Sequence, residues 1–276
     1  MDTVFWTIFF ILLAIGFLGT LAVIPYSLAL NPAGVEALKA KQVEGKKSLR
    51  PEVIILLASA GQGLVLSAVA AFLGLLASGA MGLQLPVFTA IAAGEPVGAD
   101  LLTFVPTAIL AGALGGVILM VLEYFIFYPR LPKPLKENEK QSALWKRALA
   151  CFYGGFVEEI LMRLFVMAGI AWLISLVWKA ASPAETTVIL WIANILAALL
   201  FGAGHLPATA QMTKLTPLVL VRAFLLNGLC GLVFGWLFMR FGLESAIVAH
   251  FTADIVIHIL WPELMKKKVM PVAETA

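Results

Sequence analysis

Seven apolar stretches separated by short polar segments run along the chain, at about 4–24, 53–78, 101–128, 148–178, 187–206, 218–238 and 243–261. Each approaches or exceeds the roughly 20 helical residues that a bilayer core requires. Glycine recurs throughout, as spanning helices tolerate. The first stretch is read as a span rather than a signal peptide: only Asp2 precedes it, with no basic start, and it is too long for an h-region. The fourth, about 31 residues, is either steeply tilted or two pieces broken near Gly169. The segment 80–100 holds no base and contains Pro86, Gly94 and Pro96, which predicts an outer loop with a short interfacial helix. No internal repeat or low-complexity tract divides the chain. The expected architecture is an all-α, polytopic transmembrane helical bundle of seven to eight spans, a single membrane domain over 1–276 with a poorly ordered tail from Met265.

Basic residues orient the bundle. Lys39, Lys41, Lys46, Lys47 and Arg50 lie in one polar segment, and Arg130, Lys133, Lys136, Lys140, Lys146 and Arg147 in another. Lys214 and Arg222 flank the turn between the fifth and sixth stretches, and Lys266, Lys267 and Lys268 follow the seventh. All fall on one side, against Lys179 and Arg240 on the other. The positive-inside rule then sets the N-terminus outside and the C-terminus in the cytoplasm, as an odd number of spans requires.

Composition narrows the function. Hydrophobic residues make up 62% of the chain and charged ones 13%, where soluble domains carry about 25% charge. That excludes a water-soluble globule, and it excludes disorder. A net charge of +3, with bases grouped at segment ends, gives no basis for a nucleic-acid partner. Cys151 and Cys230 both sit inside apolar stretches and imply no disulfide framework.

Ionisable groups inside spans are costly, roughly 2.5–3.5 kcal/mol each on insertion scales, and are functional candidates for that reason. Here they are Glu123, Glu158, Glu159, Arg163, His205, His250, Asp254 and His258, which include every histidine of the chain. In GGFVEEILMRLF, Glu159 and Arg163 are four apart and share a helix face, so they are expected to form a buried ion pair. Glu158 lies about 140° round from Arg163 and stays free to act as a general acid or base. The alternative is a purely structural charge cluster. His205 closes the fifth span in FGAGHLP, where Pro207 stops the helix and small residues allow close backbone approach. His250 and Asp254 share a face of the seventh span, suited to holding a metal, orienting a carbonyl or forming a polar seam. His258 continues that stripe and is read as part of the seam. By depth, these helices are expected to enclose a polar cavity open to the cytoplasmic half.

Three motifs in order carry a family resemblance. Glu158-Glu159-x-x-x-Arg163 resembles EExxxR, Phe201-x-x-x-His205 resembles FxxxH, and His250-x-x-x-Asp254 resembles HxxxN or HxxxD. Together they resemble the CAAX protease and bacteriocin-processing (CPBP) group, which includes the Ras-converting CAAX endopeptidases. The match covers a motif-bearing core at about 145–260. The first 140 residues are similar only in being spanning helices. The resemblance implies an intramembrane endopeptidase in which Glu158 and His205 activate a water, while His250 and Asp254 stabilise the oxyanion. Asp254, where many members carry Asn, either takes that role in protonated form or orients His250. Glu159, Arg163 and Phe201 are supporting residues. A metal-independent glutamate mechanism without a cofactor is favoured, since no HExxH helix is present. The alternative is a zinc ion on Glu158, His205 and His250, with Asp254 completing a tetrahedral set. The expected partners are a membrane-associated peptide or protein tail as substrate, and the lipid bilayer. Two competing readings are a non-catalytic scaffold or immunity protein of the same fold and a proton-coupled transporter, although the paired, interrupted spans of transporters are not seen.

Overall fold

Among the described residues, proline sits in the first turn of six α-helices, where its missing N–H would have had no intrahelical partner and its fixed φ suits the helix. The computed structural model describes residues 1–30, 36, 50–138 and 143–264. The readings made for Lys39, Lys41, Lys46, Lys47, Lys140 and the tail from Met265 fall outside these residues. Helix α1 is Thr3–Leu30 and α2 is Pro51–Met81. The short α3, Pro86–Ala93, occupies the segment expected to hold a loop helix. Next come α4, Gly98–Leu122, and the short α5, Lys133–Asn138. Helix α6 is Leu144–Val177, α7 is Pro183–Gly204 and α8 is Leu206–Met212. Helix α9 is Pro217–Phe241 and α10 is Leu243–Leu264. Seven segments are long and apolar enough to cross a membrane, and the described residues contain no strand, so the chain is an all-helical, multi-pass integral membrane protein.

The ends of the helices follow from local chemistry. Gly82, at φ 69°, closes α2, and Leu83 N–H returns to the Ser78 carbonyl at 2.9 Å, the glycine-terminated cap expected at a helix C-terminus. At the start of α7 the Ser182 hydroxyl accepts from Glu185 N–H at 3.3 Å, while the Glu185 carboxylate accepts from Ala181 N–H at 2.8 Å. Gly242, at φ 95°, makes the single-residue corner between α9 and α10.

Two expectations are corrected. The fourth span is not broken near Gly169. It is continuous, and its length is absorbed by π-helical turns at Tyr153–Glu158 and Ile160–Met167. Nor does Pro207 stop the fifth span. Helix α7 ends at Gly204, His205 occupies the turn, and Pro207 lies in the first turn of α8.

Helix α10 is the central element. Within its most apolar window, 56% of residues are buried in protein, against 22–39% for the other spans. It packs on α4 and α9 and on the π-helical part of α6. Contact with α4 is backbone to backbone. A Cβ at Gly112 would strike the Ala249 carbonyl, and one at Gly116 would meet Val256 and the Ala253 carbonyl. This is the small-residue packing that drives helix association in lipid. Gly231 and Gly235 of α9 do the same against Ala198 and Asn194 of α7. At the corner end, buried Glu244 accepts the Phe88 N–H of α3 at 2.8 Å, and Leu243 N–H donates to the Gln84 carbonyl at 3.2 Å, tying the start of α10 to the α3 segment. At the opposite, basic end, Arg222 of α9 pairs with Glu123, just beyond α4, at 2.7 Å. Arg147 of α6 there reaches Glu263 at 3.2 Å and the His258 carbonyl at 2.9 Å. Glu123, one of the ionisable residues singled out in the spans, thus belongs to a clamp between helices.

Gly112→Ala is expected to lower stability by about 1–3 kcal/mol, because the added methyl meets backbone that cannot yield. Gly115→Ala, whose Cβ meets nothing closer than Cys230 Sγ at 3.7 Å, should be neutral or slightly stabilising through helix propensity. Thermal unfolding in detergent checks the pair, and equal melting temperatures would remove the close-packing account.

Candidate active site

The site begins with a pair of adjacent carboxylates on α6. A regular α-helix would splay neighbours about 100° apart. The π-helical turns on either side of Glu159 widen the helix here, and both carboxylates reach the same imidazole. Glu159 Oε1 lies 2.6 Å from His250 Nδ1, and Glu158 Oε2 lies 3.8 Å from His250 Nε2. A carboxylate can only accept at that short distance, so the Nδ1–H donates to Glu159, which fixes the ring orientation and leaves Nε2 facing Glu158. Asp254, one turn along α10, brings Oδ1 to 3.7 Å from the same Nε2. The carboxylate that orients His250 through Nδ1 is therefore Glu159, while Asp254 shares the opposite face of the ring with Glu158.

Glu159 is fully buried, and its Oε1 also meets Arg163 Nη1 at 3.1 Å. The expected ion pair is present, and it is extended to His250. Arg163 is itself 2% exposed. Its guanidinium lies over the Phe201 ring at 5.0 Å and the Phe234 ring at 5.4 Å, and donates to the Gly231 carbonyl at 3.2 Å. The two aromatic faces supply cation–π attraction to a charge that has left water. Phe234 also stacks on the His250 ring, with centroids 4.7 Å apart and planes 23° apart.

His205 joins the cluster indirectly. Phe201 meets His205 edge-on at 4.9 Å and His250 edge-on at 5.8 Å, so one ring stands against both histidines. His205 Nδ1 lies 2.8 Å from the Phe201 carbonyl, the only polar partner of its ring among the described residues. The structure thus gathers Glu158, Glu159, Arg163, His250 and Asp254 into direct contact, with Phe201 bridging to His205.

A cavity of about 520 Å³ does exist, but it lies between α1, α2 and α6 and is lined by Thr20, Ser59, Gln62, Ser67, Tyr153 and Val157, among others. Glu158, His205, His250 and Asp254 do not line it. Between α6, α7 and α9 the Arg163 guanidinium packs against the rings of Phe201 and Phe234. Among the described residues no group of three or more His, Cys, Asp or Glu side chains is arranged to hold a metal ion. Glu159 holds Nδ1 of His250, and the Phe201 ring stands against His205 and His250 alike. Cys151 and Cys230 are buried and free.

Sequence reasoning missed Phe234 and Gly154. A Cβ on Gly154 would stand on the Asp254 carboxylate and lie 3.3 Å from His250 Nε2, so the absent side chain gives the cluster its room. The Gly154-Gly155 pair just before the two carboxylates was the available signal. For Phe234 it was the run Gly228, Gly231 and Gly235, which marks the packed face of α9.

Residues 140–256 match the family model of the type II CAAX prenyl endopeptidases, Rce1-like. At family level this supports a CAAX-type intramembrane protease. No curated protein and no solved structure matches the chain.

Glu159→Gln keeps the shape of the side chain but strands the Arg163 charge. It should cost about 3–5 kcal/mol, the usual penalty for breaking a buried pair on one side. Replacing both partners, Glu159→Leu with Arg163→Met, should recover much of that loss. Chemical denaturation of the three variants in detergent checks it, and a double variant no more stable than the single would contradict it.

Proposed function

We propose that this chain, whose residues 140–256 match the model of the Rce1-like family of type II CAAX prenyl endopeptidases, hydrolyses a peptide bond of a membrane-associated peptide or protein tail with a water activated by Glu158. The basic end of the bundle faces the cytoplasm, with the N-terminus outside and the C-terminus inside. The observation that carries the reading is the arrangement round one ring: Glu158 and Asp254 within 3.8 Å of His250 Nε2, with Nδ1 held by Glu159.

Chemically, Glu158 takes a proton from water as its oxygen attacks the scissile carbonyl carbon. His205 holds the water by its free ring nitrogen. His250 donates from Nε2 to the tetrahedral oxygen. Since Nδ1–H is already given to Glu159, that donation requires the imidazolium, and Glu158, Glu159 and Asp254 surround its charge. When the C–N bond breaks, Glu158 passes its proton to the departing nitrogen, leaving a carboxylate and an amine. Asp254 borders the Glu158 side of the ring and helps hold the water there. No step requires a metal or other cofactor.

Glu158→Gln removes the base while keeping the shape. Against wild type, on a membrane-peptide library read by mass spectrometry, it should lose about 10²–10⁴-fold in turnover. A chelator should leave wild-type cleavage unchanged. Cleavage by Glu158→Gln at the wild-type rate would sink the proposal, and chelator-sensitive cleavage restored by zinc would replace it with a metalloprotease.

A further inference from the structure

The cavity between α1, α2 and α6 carries polar groups that the mechanism above does not use. Thr20 of α1, Ser59, Gln62 and Ser67 of α2 and Tyr153 of α6 line it. The Thr20 hydroxyl donates to the Gly16 carbonyl at 2.9 Å. The side chains of Ser59, Gln62, Ser67 and Tyr153 have no hydrogen-bond partner among the described residues. Ser67 is only 2% exposed. A polar side chain at span depth that bonds to nothing is costly. Four of them round one cavity point to a ligand that supplies hydrogen bonds. The α2 wall runs from Ile55 to Ser67, about 18 Å at 1.5 Å per residue, the length of about five residues of extended chain. The α6 wall is Tyr153, Val157 and Leu161, one face of the helix that carries Glu158. In the π-helical turn Tyr153–Glu158 the backbone bonds run from i to i+5, so its first and last residues stand about one turn apart. Gly154, next to Tyr153, packs on Asp254. That turn therefore has the cavity on one face and the catalytic cluster on the next. Glu158 is the most accessible of the three carboxylates round His250, at 21% against 12% for Asp254 and 0% for Glu159.

The chemistry of the wall selects the occupant. The Gln62 amide both donates and accepts, as a peptide unit does, and so do the Ser59, Ser67 and Tyr153 hydroxyls. A hydrocarbon chain would shut those groups away from water with nothing to bond to. A site built to hydrogen-bond its ligand rejects one that cannot answer. We propose that this cavity binds an extended peptide segment through its main-chain amides, with Gln62 and Tyr153 as the residues that recognise it, and that the segment runs along α6 toward Glu158. This rests on the hydrolase reading above and adds what the substrate presents to the first two spans: bare main chain, not a lipid chain. Gln62 and Tyr153 set specificity and do not touch the reacting atoms.

The test uses the full chain in phosphatidylcholine–phosphatidylglycerol proteoliposomes, with a photoreactive benzophenone amino acid in place of Leu66, which lines the cavity. The same amino acid in place of Val65, 65% exposed and outside the lining, is the control. The probe is the membrane-peptide library, and adducts are read by mass spectrometry after illumination. Peptide adducts are expected from position 66 and lipid adducts alone from position 65. An excess of farnesyl methyl sulfide, an isoprenoid chain with no hydrogen-bond donor, should leave the peptide adducts in place. Gln62→Leu and Tyr153→Phe should each lower peptide capture about tenfold, the loss of one hydrogen bond. Lipid adducts alone at position 66, no adduct there, or displacement of peptide by the isoprenoid would overturn the proposal. Capture needs no turnover: a peptide captured but never cleaved supports this site while sinking the hydrolase reading, and cleavage without capture does the reverse. On a cleaved peptide, Gln62→Leu should raise KM about tenfold with kcat little changed, while Gln62→Asn, which keeps the amide, recovers part of the loss. A wild-type KM in Gln62→Leu would remove its recognition role. If Gln62→Leu does not fold, Tyr153→Phe, which keeps the ring, decides by the same two readouts.

Discussion

The Arg163 guanidinium, a charge that cannot be given up, sits inside a membrane bundle, and much of the site follows from satisfying it. Arginine does not deprotonate in proteins, so the charge must be met where it stands. Glu159 meets it at 3.1 Å, the Gly231 carbonyl accepts from it, and the rings of Phe201 and Phe234 cover its faces. Those four partners come from α6, α7 and α9. Glu159 then has an oxygen fixed in space, and His250 Nδ1 docks on that same oxygen. The imidazole is oriented as a consequence, and its other nitrogen faces Glu158 and Asp254. A buried ion pair is weak support for stability taken alone. Its effect here is positional: it turns one helix-to-helix contact into a fixed direction for a ring.

The bundle reconciles that polarity with the bilayer by putting its most polar span at the centre. Helix α10 carries Glu244, Ser245, His250, Asp254 and His258, and it is the span most enclosed by protein. Such enclosure needs close approach of neighbours, which Gly112, Gly116, Gly154 and Gly155 provide by lacking side chains where α10 passes. Charged pairs clamp the basic end, through Glu123 with Arg222 and Arg147 with Glu263, while Glu244 holds α3 at the corner end. The polar cluster is thus held between two anchored ends, on helices rather than on loops.

The seven spans were legible in the sequence, and so were the ionisable residues within them. Apolar length decides what crosses a bilayer, and ionisable groups are rare enough within spans that those present stand out. The i, i+4 spacing of Glu159 and Arg163 was sufficient to predict their pairing, because that pairing is local to one helix. What the spacing could not give was the third member. His250 lies 91 residues away from Glu159, and no periodicity within one helix reports a contact between two.

For the same reason, the division of labour among the carboxylates belonged to tertiary structure. From sequence, Asp254 was a candidate either to stabilise the oxyanion or to orient His250. The π-helical turns of α6 brought Glu159 to that ring instead and left Asp254 beside Glu158. Phe234 was invisible because an aromatic residue in an apolar span reads as lipid-facing or core until its neighbours are known. The 520 Å³ cavity lies between α1, α2 and α6, a placement that no spacing along one helix reports. Sequence by itself determined what the helices are and which of their residues are too polar for lipid, since both are matters of transfer free energy along a single chain. The tertiary structure alone decided which of those residues face one another, since that depends on how closely glycine lets separate backbones approach.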